Sequence, residues 1–321
     1  AIEAYDDDAL ADHVERVAVH LLEGNVRHHI LHGTDMGPIG DLLAHITRWE
    51  LDPLEMMKLL QGASPATREA AELGAAIAEA LRAEGVDPET VSSVDEIRHA
   101  GARSAAALDA YLDLYGWRLV TSYDIEGLTV HELPGSIVAL VRAGADGVEY
   151  DDSGIEVAAA RFRAQVPAEH HPLYDQLMDG ARRAYGLRDD NGPLTTEWTL
   201  GLTRRVFLEA GGRLAARSRV SAAERVFELD TDELAAVLRG ADRPASAEID
   251  ERAAHRRWEA TLDPTLILGD PPAEIDSSAL PAGLRRTVDA VVACVAMLEK
   301  ETGGRPLEGM GIGDQPYTGR A

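Results

Sequence analysis

The densest group of side chains able to do chemistry is histidine. "RHHILHGTD", residues 27–35, carries His28, His29 and His32, with Asp35 close behind. His28 and His32 are four apart, the spacing at which two imidazoles on one helical face can grip a single metal ion, with Asp35 offering an oxygen. The same imidazoles can take a proton from a hydroxyl near neutral pH, so His28 and His32 are also candidate general bases. Ordinary packed or surface histidines are a third reading. His13 and His20, seven apart, share a face upstream, and Gly24 is a candidate break between the two groups.

A second constellation lies in "YGLRDDNGPLTTEWTLGLTRRVFLEAGGRL", residues 185–214. On a helix Arg204 follows Gly201 by three and Arg205 follows Trp198 by seven, so one side is cationic beside an aromatic. Arg188, with Asp189 and Asp190, is expected in a turn just before. Arginines paired to surface acids are the ordinary reading. The chemical one is a cationic clamp that stabilises charge on a migrating phosphoryl group. Trp198, Trp117 and Tyr123 are candidates for the wall of an apolar pocket, although such aromatics usually belong to a core. The P-loop, dinucleotide fingerprint, nucleophile elbow, HExxH and paired CxxC signatures are all missing.

The elements that must position these residues read as mainly α. "DDDALADHVERVAVHLLEG" spaces Leu10, Val14, Val17 and Leu21 by three and four behind an acidic start. "GPIGDLLAHITRW" and "DPLEMMKLLQG" follow, the latter with Pro53 in its first turn and Gly62 as its stop. "SPATREAAELGAAIAEALRAEG" has Ser64 as expected N-cap, Pro65 in the first turn and Gly85 as breaker. "SVDEIRHAG" offers a capping box in Ser93 and Glu96. From 115 to 134 the helical period fails, and short alternating pieces with turn residues predict a loop-rich or weakly stranded excursion. Helical patterns return in "SIVALVRAG", "GIEVAAARFRAQV", "HPLYDQLMDGARRAYG", "TDELAAVLRG" and "LRRTVDAVVACVAMLEKETGG". The proline-bearing "DPTLILGDPPAEIDSSALPAG" reads as a surface linker or domain edge.

Composition narrows the partners. A net charge of −25, from 56 acidic and 31 basic residues, argues against nucleic acid and anionic membrane surfaces, which require a basic footprint. Lys58 and Lys300 are the only lysines, so arginine carries the basic charge. That fits a GC-rich genome, and it equally fits arginines kept for bidentate binding of phosphate or carboxylate. No apolar run reaches a bilayer-spanning length, and "AIEAYDDDAL" lacks a signal-peptide layout. Cys294 is the single cysteine and has no internal partner, so a reducing cytoplasm is the expected location. A start without Met suggests an excised piece.

Residues 204–234, "RRVFLEAGGRLAARSRVSAAERVFELDTDEL", resemble a segment of the phosphoenolpyruvate-utilising enzyme superfamily. The nearer likeness is to multidomain phosphotransferases related to rifampin phosphotransferase and phosphoenolpyruvate synthase. It rests on Leu208 to Leu214, then Val226, Phe227, Leu229, Asp232, Glu233 and Leu234. "GLRDD", "YGWR", "ELP" and "LILGDPP" resemble further steps of that pattern, and "YTGRA" at 317–321 resembles the opening of the family's swivelling phosphohistidine domain. The resemblance implies that residues 1–305 form a helical acceptor-substrate domain, with a sub-boundary near 110–135. Residues 306–321 are then a linker and the start of the next domain. Phosphate is expected to pass from ATP, through a histidine on another domain, to a hydroxyl of a small organic molecule. Arg188, Asp189, Arg204 and Arg205 would face the phosphoryl group or acceptor.

Implied partners are that acceptor and the ATP-grasp and phosphohistidine domains of the same polypeptide. ATP and Mg are implied for the full-length enzyme, and no cofactor or metal for this chain. No histidine here has the Ser- or Thr-preceded context of the family's phosphohistidine, and no ATP-grasp features are visible, so the chain alone is expected to be inactive. Two rival classes remain open: a helical binding or scaffold module without catalysis, and a metal-dependent hydrolase built on the histidines.

Overall fold

The structure, a computed structural model, describes residues 2–32, 35–64, 66–146, 152–262, 269, 277–302, 307–309 and 317–319. It is mainly α. In chain order the helices are α1 (Asp7–His32), α2 (Met36–Arg48), α3 (Pro53–Lys58), α4 (Ala66–Ala83), α5 (Val94–Ala100), α6 (Ala102–Tyr115) and α7 (Pro134–Ala143). They continue as α8 (Asp152–Gln165), α9 (His171–Gly192), α10 (Trp198–Ala216), α11 (Thr231–Leu238), α12 (Ser246–Glu259) and α13 (Ala282–Thr302). Two short strands, β1 (Leu307–Gly309) and β2 (Tyr317–Gly319), pair antiparallel with Leu307 opposite Gly319. Among the described residues no helix is long and apolar enough to cross a membrane.

The helix ends follow local chemistry. Asp6 accepts from Ala9 N–H at 2.8 Å to open α1, and Asp52 accepts from Leu54 N–H at 2.8 Å to open α3. Asp230 and Glu233 close a reciprocal capping box on α11. Gly62 and Gly85 take φ of +65° and +80° where α3 and α4 have ended, as the sequence predicts. The expected box at Ser93 and Glu96 is only half formed. Ser93 Oγ accepts from Glu96 N–H at 3.2 Å, but the Glu96 carboxylate turns to Ser92, taking its N–H at 2.7 Å and its hydroxyl at 2.8 Å. The start expected at Ser64–Pro65 lies partly outside the described residues; Ser64 itself is buried and donates its hydroxyl to Asp190.

The chain forms two compact units. The first comprises Ala1–Val26, Trp117–Thr129 and Thr195–Ile275; the second comprises Arg27–Gly116, Val130–Leu194 and Asp276–Ala321. In the first unit, Leu10, Ala11 and Val14 of α1 pack with Val206, Phe207, Ala210 and Leu214 of α10, with Leu234 and Leu238 of α11, and with Ile249 of α12. In the second, Ile39, Leu42, Leu43 and Ile46 of α2 pack with Met56 and Met57 of α3, Phe162 of α8, Tyr174 and Ala181 of α9, and Ala290 of α13. α4 packs against α6 and α7 in the same unit.

Two sequence expectations are corrected here. Gly24 does not break α1: the helix runs through it, because a Cβ there would stand 2.5 Å from the Thr195 carbonyl oxygen. Glycine at this point admits a close backbone rather than a bend. The turn expected around Arg188, Asp189 and Asp190 is also absent. α9 continues through them to Gly192, and the breaker signal of Gly192–Pro193 is absorbed in a single π-helical stretch, Pro193–Glu197. Tertiary hydrogen bonds outweigh the local signal: Asn191 Nδ2 donates to the His28 carbonyl at 3.1 Å, and Ser64 holds Asp190.

The 115–134 excursion is loop-rich as expected. Leu119 and Thr129 form one antiparallel bridge, and Val120 N–H donates to Leu128 O at 3.0 Å. Its backbone lies on α10 at Gly201, where a Cβ would fall 1.7 Å from the Trp117 carbonyl oxygen. Gly201→Ala is therefore expected to cost about 3 kcal/mol or more, since backbone on both sides must move. Gly212→Ala, on the same helix with nothing within 4 Å of its Cβ position, should be neutral or stabilise by up to about 1 kcal/mol. Urea unfolding of the two variants checks both values.

Candidate functional site

The residues singled out from the sequence fall into two groups, one in each unit. His28, His32, Arg188 and Asp189 belong to the second unit; Trp117, Tyr123, Trp198, Arg204 and Arg205 belong to the first.

In the second unit, the end of α1 delivers His28 and His32 one turn apart, their rings 4.4 Å between centroids and nearly perpendicular. Asp35 follows directly. Its backbone N–H bonds to Leu31 O at 2.9 Å. With φ −63° and ψ −32°, Asp35 has helical geometry, and its side chain makes no capping bond to α2. The carboxylate is buried instead, 1% exposed, with His32 Nδ1 at 3.4 Å and Arg188 at 3.7 Å. Among the described residues neither oxygen receives a hydrogen bond. Charge is balanced there, while the directional bonding capacity of the carboxylate is unused.

Arg188 and His32 are each more than a third exposed, so the group opens to solvent on their side. Asp189, half-buried, has its carboxyl pushed up by burial and by the neighbouring Asp190 charge, with Arg188 opposing. Cys294 of α13 lies within electrostatic reach: burial raises its thiol, Arg188 pulls it down and Asp35 pushes it further up. It is therefore a thiol at neutral pH, not a nucleophilic thiolate. His28 is held below the ordinary imidazole range by burial first, then by His32 and His29. Among the described residues no set of three or more His, Cys, Asp or Glu side chains is arranged to hold a metal ion.

In the first unit the other group stitches the 117–129 excursion onto α10. Arg118 pairs with Glu197, Tyr123 donates to Glu197 at 3.2 Å, and Leu119 N–H bonds to Glu197 O at 3.1 Å. The Arg205 guanidinium stacks 4.3 Å over the Trp117 ring and reaches Glu3 at 3.0 Å. Arg204 is buried, donates to Ile125 O at 2.8 Å and lies 5.3 Å from the Phe227 ring centroid. Trp198 and Tyr123 are exposed, 40% and 69%. These contacts hold a loop in place. A cavity of about 320 Å³ in the second unit, lined by Ser92, Ser93, Val94, Asp95, Pro134, Gly135 and Val138, includes none of the sequence-predicted residues.

Sequence reasoning named Asp35 only as a possible metal oxygen and missed its pairing with Arg188, which is 153 positions away. The signal available was weak: an acid and an arginine in separate segments. No protein-family model matches the sequence, and no curated protein matches it.

Two outcomes follow from this geometry. Arg204→Ala should lower stability by about 2–4 kcal/mol, because a buried charged donor and its packing are lost together, while Arg205→Ala stays within about 1 kcal/mol. Chemical denaturation separates them. For His28, the folded pKa lies below the unfolded value of about 6.5, so its neutral form stabilises the fold above that value. That contribution is lost as pH falls through the folded pKa. The drop in Tm between about pH 7.5 and about pH 5.5 should be smaller in His28→Gln than in the wild type.

Proposed function

We propose that this chain is the acceptor-binding part of a phosphotransferase, and that His32, Asp35 and Arg188 form the station where a hydroxyl of a small organic molecule receives phosphate. The observation that carries the reading is the buried Asp35 carboxylate, unbonded at both oxygens and set between an imidazole and a guanidinium. The sequence resemblance supplies the reaction class; the three side chains supply the roles.

Asp35 beside Nδ1 favours the His32 tautomer that carries its proton there, which leaves the Nε2 lone pair to accept one. An acceptor hydroxyl at that nitrogen loses its proton to His32 as its oxygen bonds to phosphorus. The phosphorus–nitrogen bond of the donor phosphohistidine breaks, and the electron pair returns to the donor imidazole. Asp35 stabilises the imidazolium formed on His32, and Arg188 offsets negative charge gathering on the transferred group. In this reading the phosphohistidine, ATP and Mg belong to other parts of the polypeptide, and no residue of this chain is assigned to them. A cytoplasmic location fits the substrate chemistry and the single cysteine.

The protein expressed from its complete reading frame provides the test. With labelled ATP it should form a phosphohistidine, and a small-molecule extract of the source cells should discharge it. Arg188→Ala and His32→Ala should leave loading intact and slow discharge by about a hundredfold or more, whereas Arg205→Ala changes neither. Discharge at the wild-type rate in both variants would remove the assignment. Absence of any phosphohistidine would remove the phosphotransferase reading and favour a binding module.

A further inference from the structure

α1 is apolar on two faces. Leu10, Ala11 and Val14 are buried in a core. Further along the same helix Val19, Leu22, Val26 and Ile30 stand in solvent, 56%, 65%, 52% and 61% exposed. Their spacing of three, four and four places them in one stripe along the helix, where side chains one turn apart are neighbours. A continuous row of large aliphatic side chains in water is unusual on a surface otherwise rich in charge, and such rows mark docking faces.

We propose that this stripe is the contact between two copies of the chain, packed as an antiparallel α1–α1 pair. The stripe is self-complementary. The stripe has nearly the same spacing from either end, with its midpoint between Leu22 and Val26. Glu23 and Arg27 are exposed and lie on the same flank of it. A two-fold axis that reverses the helix direction brings this flank against its own copy, and near the midpoint it sets Glu23 of one chain beside Arg27 of the other, twice. A parallel two-fold pair would bring this flank against the opposite one, where Glu23 and Arg27 do not meet, so only the antiparallel pair lets these charges pair. Within one chain the ion-pair partner of Glu23 is His20, at 3.9 Å with both side chains largely in solvent, which leaves the carboxylate open to a stronger cation. The four side chains offer roughly 400 Å² of apolar surface per copy, about half a standard interface, so the dimer should dissociate in the micromolar range.

Sedimentation velocity of the 321-residue chain from about 1 to 100 µM tests this. A reversible monomer–dimer equilibrium is expected. Leu22→Glu with Val26→Glu should stay monomeric at the highest concentration, with helicity and Tm unchanged because both positions are exposed. Glu23→Arg alone and Arg27→Glu alone should each weaken the dimer about tenfold or more, and the two together should restore it. A monomer at every concentration overturns the proposal and gives the face to another partner. A dimer that survives Leu22→Glu with Val26→Glu overturns it too. Failure of the double charge exchange to restore association overturns the antiparallel arrangement.

Discussion

The hydrogen bond from Asn191 Nδ2 to the His28 carbonyl fixes the second unit's chemistry. It ties the last turn of α9 to the last turns of α1, and Asn191 is buried where it does so. Because α9 is held there, it stays helical past a sequence that would otherwise turn, and Arg188 is carried one turn earlier on the same helix. Because α1 is held there, His28 and His32 face that position, and the chain enters α2 with Asp35 turned inward. A carboxylate, an imidazole and a guanidinium meet in the same unit as this hydrogen bond between helix ends. The arrangement is costly, since a carboxylate buried without hydrogen bonds forfeits much of its solvation, and the nearby Arg188 charge offsets part of that loss.

The first unit shows the same economy with different means. There the excursion 117–129 has almost no secondary structure of its own, only one bridge, and is kept in place by what it touches on α10. Gly201 admits its backbone, Glu197 gathers Arg118, Tyr123 and the Leu119 N–H, and Arg204 holds the Ile125 carbonyl from below the surface. Cationic and aromatic side chains that read as a binding surface in the sequence are thereby engaged in holding a loop.

What could be read in advance was local. The apolar spacing of α1, α2 and α13, the stops at Gly62 and Gly85, and the cap at Asp230–Glu233 follow from rules acting within a few residues, and the mainly α architecture follows from them. What escaped was set by distant neighbours. Gly24 looks like a breaker until the Thr195 carbonyl is beside it. "RDDNGP" looks like a turn until Asn191 and Asp190 find His28 and Ser64. His28 and His32 were visible by their spacing, but the pairing of Asp35 with Arg188 has no periodic signature. Arg204 and Arg205 are adjacent in sequence, yet Arg204 is buried and Arg205 only partly so, a distinction that the packed core makes.

In the proposed mechanism Asp35 orients His32 as a base. A long-range proton–nitrogen correlation spectrum of the protein, with His32 assigned by its loss in His32→Gln, reads the tautomer directly. The proton of neutral His32 is expected on Nδ1, and Asp35→Leu is expected to erase this preference. A His32 signal with its proton on Nε2, or an even mixture of the two tautomers, would contradict it.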